Sequence, residues 1–388
     1  MTMLSRSTLA LIASCAVAVA LAAAAPAMAS PDGAGQSRPA PPTAYVVNEG
    51  GLQVPGTVTP IDTASGVAGA PIKVGGVPFT IAITPNGKTA YVTDISRNVV
   101  TPITTATNKP GKPIKVGDGP FSLAITPNGK MVYVANDDSG TVTPISTSAN
   151  KAGRAIAVAA YPIPIAAAAN GKTVYSVGAT QLSAISTATN KASRPLGIGG
   201  GIHAIAISPS SKTVYVTNGN SLLRINATTL QVTKRITVGA DWAVALTPNG
   251  ATLYAFSCSD LHPATDSMTA ISIATFRPAK PVRLGFCVAG TAFTPNGKTM
   301  YIVDSPTGSK PGTVIPVNTA TGKLGSPIVV GWQPGALAVL AGATASSAST
   351  LYVVNTGSDS VTAINTAANA ATATIGVGYL PTSIGIAR

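Results

Sequence analysis

A tyrosine that opens a short β-rich run recurs eight times, at Tyr45, Tyr91, Tyr133, Tyr175, Tyr215, Tyr254, Tyr301 and Tyr352. Successive tyrosines stand between 39 residues apart (Tyr215 to Tyr254) and 51 apart (Tyr301 to Tyr352). Such a period constrains the fold strongly, because each unit is one supersecondary element that must stack on its neighbours to bury its faces. The unit around Tyr91 reads as four short strands. Phe79–Thr84 alternates and serves as the first. Pro85-Asn86-Gly87 is a tight turn, with Pro presetting φ and Gly accepting left-handed backbone. Ala90–Thr93 is the second strand, with Asp94 placed to cap the turn after it. Val99–Thr104 is the third and Ile114–Val116 the fourth. Pro102 has no N–H for a ladder, which predicts an edge or a bulge beside it.

Four strands in about 43 residues is the arithmetic of a propeller blade. The termini favour a closed ring over a linear solenoid. The repeats begin at a second strand, Ala44–Asn48, and end on an unattached first strand, Thr382–Ala387. Each fragment completes the other, and closure removes the open edges a linear array would expose. The expectation is an all-β propeller of four-stranded antiparallel blades, eight by tyrosine count. Seven is the alternative, should the unit at Tyr175 or Tyr254 fail to complete a blade. The corresponding division of the chain is 1–29 signal segment, 30–43 Pro-rich linker and 44–388 one propeller domain.

The tetrapeptide YVTN at Tyr215–Asn218 and the turn TPNGK at Thr84–Lys88, Thr126–Lys130 and Thr294–Lys298 resemble the YVTN β-propeller repeat family. The resemblance covers nearly all of residues 44–387. It implies a propeller of the kind found mostly in exported or surface-layer proteins of bacteria and archaea, with a more distant likeness to lactonase-like propellers. It supplies no catalytic residue. The family is usually described as seven-bladed, so a count of eight departs from it, as do the tetrapeptides YSVG at Tyr175 and YAFS at Tyr254.

The N-terminus reads as a secretory signal: Arg6 precedes an uncharged apolar run, Leu9 to Ala25, and Ala27-Met28-Ala29 supplies a small-residue cleavage pattern. Two rivals are a lipoprotein signal at Cys15, although the apolar run continues past it, and a retained N-terminal anchor. Export would leave Cys258 and Cys287 in an oxidising compartment, where a disulfide between them is expected. The alternative is two small buried thiols that never meet.

Of the 388 residues, 25 are Lys or Arg and 12 are Asp or Glu, a formal net charge of +13. Propeller geometry makes that imbalance directional, since loops after first and third strands share one face, here the bottom. After first strands come Lys88, Lys130, Lys172, Lys212 and Lys298. After third strands come Lys109, Lys112, Lys151, Arg154, Lys191, Arg194, Lys234, Arg235, Arg277, Lys280 and Lys323. The acids fall on the opposite, top face, with Asp32 and Asp62 as exceptions. Two readings compete. Lysines in turns can simply keep a repeat soluble and blunt its edges. Alternatively the basic face docks on a polyanion and should release it as salt rises. The partners expected are an anionic cell-wall polymer or another envelope protein. Nucleic acid is disfavoured, because the aromatic interleaving needed for base stacking is missing.

A search for chemistry returns little. His203 opens a first strand near the channel mouth, where Trp242 and Trp332 also fall. It would be the base if one existed, but a channel-lining histidine without catalytic work is the simpler account. His262 has no partner by spacing. The tryptophans read as inter-blade packing or as part of a ligand mouth. Asp137-Asp138 alone are adjacent, so calcium is a minor alternative, and neither a metal nor a cofactor is expected. The sequence therefore favours an exported non-enzymatic binding module of the cell envelope. A lactonase- or lyase-like enzyme at the top mouth is the alternative.

Overall fold

The computed structural model describes residues 42–51, 53–201, 204–239, 242–259, 263–308, 310–342 and 348–388. Eight antiparallel sheets form eight blades. Blade 2 shows the pattern: Pro78–Ile83, Thr89–Asp94 and Val99–Thr104, then a split fourth strand, Lys109–Pro110 and Ile114–Lys115. First strands of neighbouring blades contact one another and so surround the central channel. The units at Tyr175 and Tyr254 are complete blades: Thr173–Val177 and Thr252–Phe256 are each the second strand of a full sheet.

Ring closure follows the expected route. Pro381–Ala387 pairs antiparallel with Thr43–Asn48, with Ala387 opposite Thr43 and Ile384 opposite Val46. The seam so formed is packed like the others, with Ala44, Val46 and Ile61 of blade 1 against Tyr352, Val354 and Val361 of blade 8.

The core is divided by seams. Successive side chains of a strand point to opposite faces of its sheet. Tyr45 and Val47 therefore pack with Ile81 and Val92 of blade 2, while Ala44 and Val46 pack towards blade 8. A blade is covered on both faces, which is why the second strands read as apolar runs rather than apolar-polar alternation. All eight repeat tyrosines are buried.

Seven of these tyrosines fasten one blade to the next through the ring or its hydroxyl, and Tyr352 packs in the seam between blades 8 and 1. Tyr91 Oη donates to Asn150 Oδ1 of blade 3 at 2.6 Å, Tyr45 to Asn108 at 2.7 Å, Tyr133 to Asn190 at 2.6 Å and Tyr301 to Asn369 at 2.6 Å. These asparagines adopt left-handed backbone in the turn between third and fourth strands, a conformation Asn tolerates better than most residues. Where Asn is replaced, the contact changes chemistry. Tyr175 and Tyr254 donate to the main-chain carbonyls of Ala227 and Thr319, and Tyr215 stacks on Phe276. Burial pushes the hydroxyls up, to about 12 for Tyr45, Tyr91 and Tyr301.

Pro102 has the predicted effect on the strand beside it. Its carbonyl accepts a bond from Gly111 at 2.7 Å, and the fourth strand breaks into two short pieces around that point. Pro60 with Gly69, Pro144 with Gly153 and Pro316 with Gly325 repeat the bond. The fourth strand of blade 2 thus begins at Lys109, earlier than Ile114, where the sequence alone suggested. The signal segment 1–29 and nearly all of the linker 30–43 lie outside the described residues.

Candidate binding surface

The first-to-second turns are built to hold their lysines still. In blade 2, Thr84 Oγ1 donates to Asn86 Oδ1 at 2.7 Å, Lys88 N donates to the same oxygen, and Thr89 N donates to Thr84 Oγ1. Thr105 Oγ1, from the third-to-fourth turn, donates to Gly87 O at 2.6 Å and ties the two bottom loops of the blade together. Blade 3 repeats the tie through Thr147 and Gly129. Neighbouring turns also touch: a methyl on Gly129, whose φ is +68°, would sit 3.2 Å from the Pro85 ring. Lys88, Lys130, Lys172, Lys212 and Lys298 are therefore exposed on a stiff inner ring of turns around the bottom of the channel.

Six of the remaining basic positions divide into two tiers that the sequence had placed together, while Lys234 and Arg235, also expected in a bottom loop, lie within the fourth strand Val232–Thr237 of blade 5, opposite Arg224 and Leu223. Lys109, Lys151 and Lys191 stand opposite the last residues of the third strands, Thr104, Ser146 and Ser186, at the bottom of the outer edge. Lys112, Arg154 and Arg194 lie between the halves of split fourth strands, out on the rim. All six are exposed. Lys73, Lys115 and Arg283 extend the rim upward, pairing with Thr57, Val99 and Ser267 at the beginnings of third strands. Sequence reasoning passed over these three. Their signal was an apolar-basic dipeptide, as in Ile114-Lys115, where the first residue is buried and the second exposed. Among the described residues, Asp62 is the single acidic side chain at the bottom. It accepts from Ala64 N and Ser65 N, which hold its carboxyl below the ordinary range.

Top-face acids and amides serve mainly as caps. Asp94 Oδ1 accepts from Val77 N, Ser96 N and Arg97 N, and its other oxygen lies 3.7 Å from the Arg97 guanidinium. Asn136 donates to Thr141 Oγ1 and Thr143 Oγ1 of its own blade. Asp137 differs, since burial first and the neighbouring Asp138 second push its carboxyl up to about 6. Burial also raises Asp304.

Trp242 is half-buried and donates through Nε1 to Val288 O of the next blade at 2.8 Å, an inter-blade packing role. Trp332 is 43 % exposed at the junction of blades 7 and 8. Phe79 and Phe121, each the second residue of a first strand, pack on each other across a seam with centroids 4.5 Å apart. His203 and His262 lie outside the described residues. Cys258 and Cys287 form the expected disulfide, Cα–Cα 4.8 Å, joining the loop after the second strand of blade 6 to the crossover into blade 7.

No protein-family model matches the chain, and no curated protein is similar to it in sequence. Solved structures are similar in fold. A dihydro-heme d1 dehydrogenase, NirN, superposes with a TM-score of 0.72 at 12 % identity, covering 92 % of this chain and 77 % of that one. AztD from Citrobacter koseri gives 0.65 at 12 % identity, over 89 % and 97 %. A putative 6-phosphogluconolactonase from Bacteroides uniformis gives 0.55 at 18 % identity, over 75 % and 97 %. The likeness is one of fold.

Proposed function

We propose that this chain is an exported, non-enzymatic binding module whose basic bottom face and rim hold an anionic polymer of the cell envelope. The observation that carries the proposal is the separation of charge: among the described residues, bottom turns and rim present ranks of exposed Lys and Arg, with Asp62 the single acid at the bottom. Clustered cations on a rigid frame raise the local concentration of a polyanion and require no reacting group. Export is supported by the apolar run before Ala27-Met28-Ala29, by the Cys258–Cys287 disulfide, and by the resemblance of the repeats to the YVTN family. Co-sedimentation with isolated cell-wall material is the test. Retention at low salt and release at high salt is the expected result. Failure to sediment, or retention indifferent to salt, overturns the proposal.

One observation favours a second reading, a lactonase- or lyase-like enzyme at the top mouth. Asp137 is a carboxyl poised near 6, the kind of group a general acid requires. Turnover of a lactone panel by the wild type, lost in Asp137→Asn, would support it. Absence of turnover, or equal turnover in both proteins, would sink it.

A further inference from the structure

The outer edges of blades 2 and 3 do not close flush. Between them runs a groove of ≈ 310 Å³, with Lys112, Pro113 and Lys115 on the blade 2 side and Asn150, Lys151 and Ala152 on the blade 3 side. Its shape follows from the sequence. Pro102 offers no N–H, Gly111 bonds its carbonyl instead, and the chain bulges before pairing resumes at Ile114. The bulge carries Lys112 outward, and strand alternation buries Ile114 while exposing Lys115. The opposite wall is anchored, because Asn150 accepts the hydroxyl of the buried Tyr91, which belongs to blade 2. Three lysines thus line one seam, and none has a carboxylate within ion-pair distance among the described residues.

We propose that this groove is a phosphate-binding subsite for a polymer bearing a phosphate in every repeat unit. The assignment rests on the polyanion reading above and names the part of the surface that holds the ligand. Three neighbouring cations repel one another, and a single carboxylate would leave most of that repulsion in place. A phosphate linked into a chain also carries a single charge, but it offers more acceptor oxygens and brings its neighbours with it, so that successive phosphates offset the three cations together. Lysine supplies compact charge with three rotatable donors, which suits a phosphate whose orientation is set by a flexible chain. The flanking seams repeat the arrangement with fewer charges, Lys73 facing the Lys109 strand and Arg154 near the Lys191 strand. A chain anchored at the three-lysine groove would meet a weaker pair on either side, and the linked contacts would strengthen one another.

The experiment is titration of long-chain inorganic polyphosphate into three proteins over a range of salt. They are the wild type, the groove variant Lys112→Ala/Lys115→Ala/Lys151→Ala, and a ring variant Lys88→Ala/Lys130→Ala/Lys172→Ala with the same net charge. All six side chains are exposed, so the melting temperatures should agree within a few degrees. The groove variant is expected to bind roughly tenfold or more weakly and to lose about 2 from the slope of log K against log salt, while the ring variant, which thins the same basic face outside the groove, weakens by only about threefold. Equal weakening in both variants would overturn the groove and leave the polyanion reading standing. Salt-sensitive binding of cell-wall material with no binding of polyphosphate would overturn the phosphate assignment alone. If the wild type binds neither, both readings fall.

Discussion

On the bottom of the ring Tyr91 reaches across a seam to Asn150, whereas on the top Asn136 reaches the hydroxyls of Thr141 and Thr143 within its own blade. Both devices satisfy a polar side chain of a second strand, yet only the first joins two blades. The bottom face repeats from blade to blade because its parts interlock: tyrosine to the next turn, threonine to the turn beside it, proline ring to glycine. The top face is less regular. Blade 6 carries a disulfide there, Asp137 sits in a desolvated place, and Trp332 is exposed. Two of the top amides, on Asn48 and Asn136, leave a buried carbonyl oxygen without a hydrogen bond. The bottom seams thus share one recurring device, whereas the bonds that cross seams on the top differ from place to place, as from Trp242 Nε1 to Val288 O and from Gly331 N to Asn355 Oδ1.

The strongest test of that contrast is alkaline titration. All eight repeat tyrosines have hydroxyls raised by burial, three of them to about 12. A raised folded-state value favours the neutral form, so this contribution is complete below pH 10 and is lost as pH rises towards 12. Circular dichroism should show cooperative loss of the fold in that window. Loss well below pH 10 would mean that the locks do not govern stability.

Next in size is the top-face disulfide. Replacing Cys258 and Cys287 by Ser reopens a loop with a sequence separation of 29 and should lower stability by about 3–4 kcal/mol on the chain-entropy account, seen as a lower denaturant midpoint. A negligible change would show that blade 6 is already held from below. Tyr91→Phe keeps the ring and removes the donor to Asn150. A loss of about 1–2 kcal/mol is expected, larger than that from Asn136→Ser if seams matter more than single blades.

Two smaller effects separate the faces further. Gly129→Ala places a side chain at φ +68° against Pro85 and should cost about 1 kcal/mol in thermal unfolding. Asp137→Asn should act in the opposite sense. The folded protein raises this carboxyl from 3.8 to about 6, so its unfavourable contribution develops as pH rises from 4 to 6. The variant should melt above the wild type at pH 7 and coincide with it below pH 4. Coincidence at both would place the Asp137 carboxylate in water.

Most of the architecture was legible before any coordinates, and the third strand of blade 2, Val99–Thr104, falls where the alternation put it. Strand alternation, Pro-Asn-Gly turns and a fixed period are local properties, so they can be read along the chain. The boundary missed was the start of the fourth strand, because the bulge opposite Pro102 divides it into pieces of two residues. Two residues are too few to show a period. That miss hid the basic rim: Lys112 looked like part of a bottom turn, and Lys115 like an unremarkable strand residue.

The sequence by itself determined the blade, its eightfold repetition and the strand that closes the ring, since each follows from backbone preferences within about forty residues. Only the tertiary structure decided which charges keep company. Lys112 and Lys151 share a groove because two blades meet at a particular angle across the bond from Tyr91 to Asn150. That angle is a property of packed surfaces, and no spacing along the chain records it.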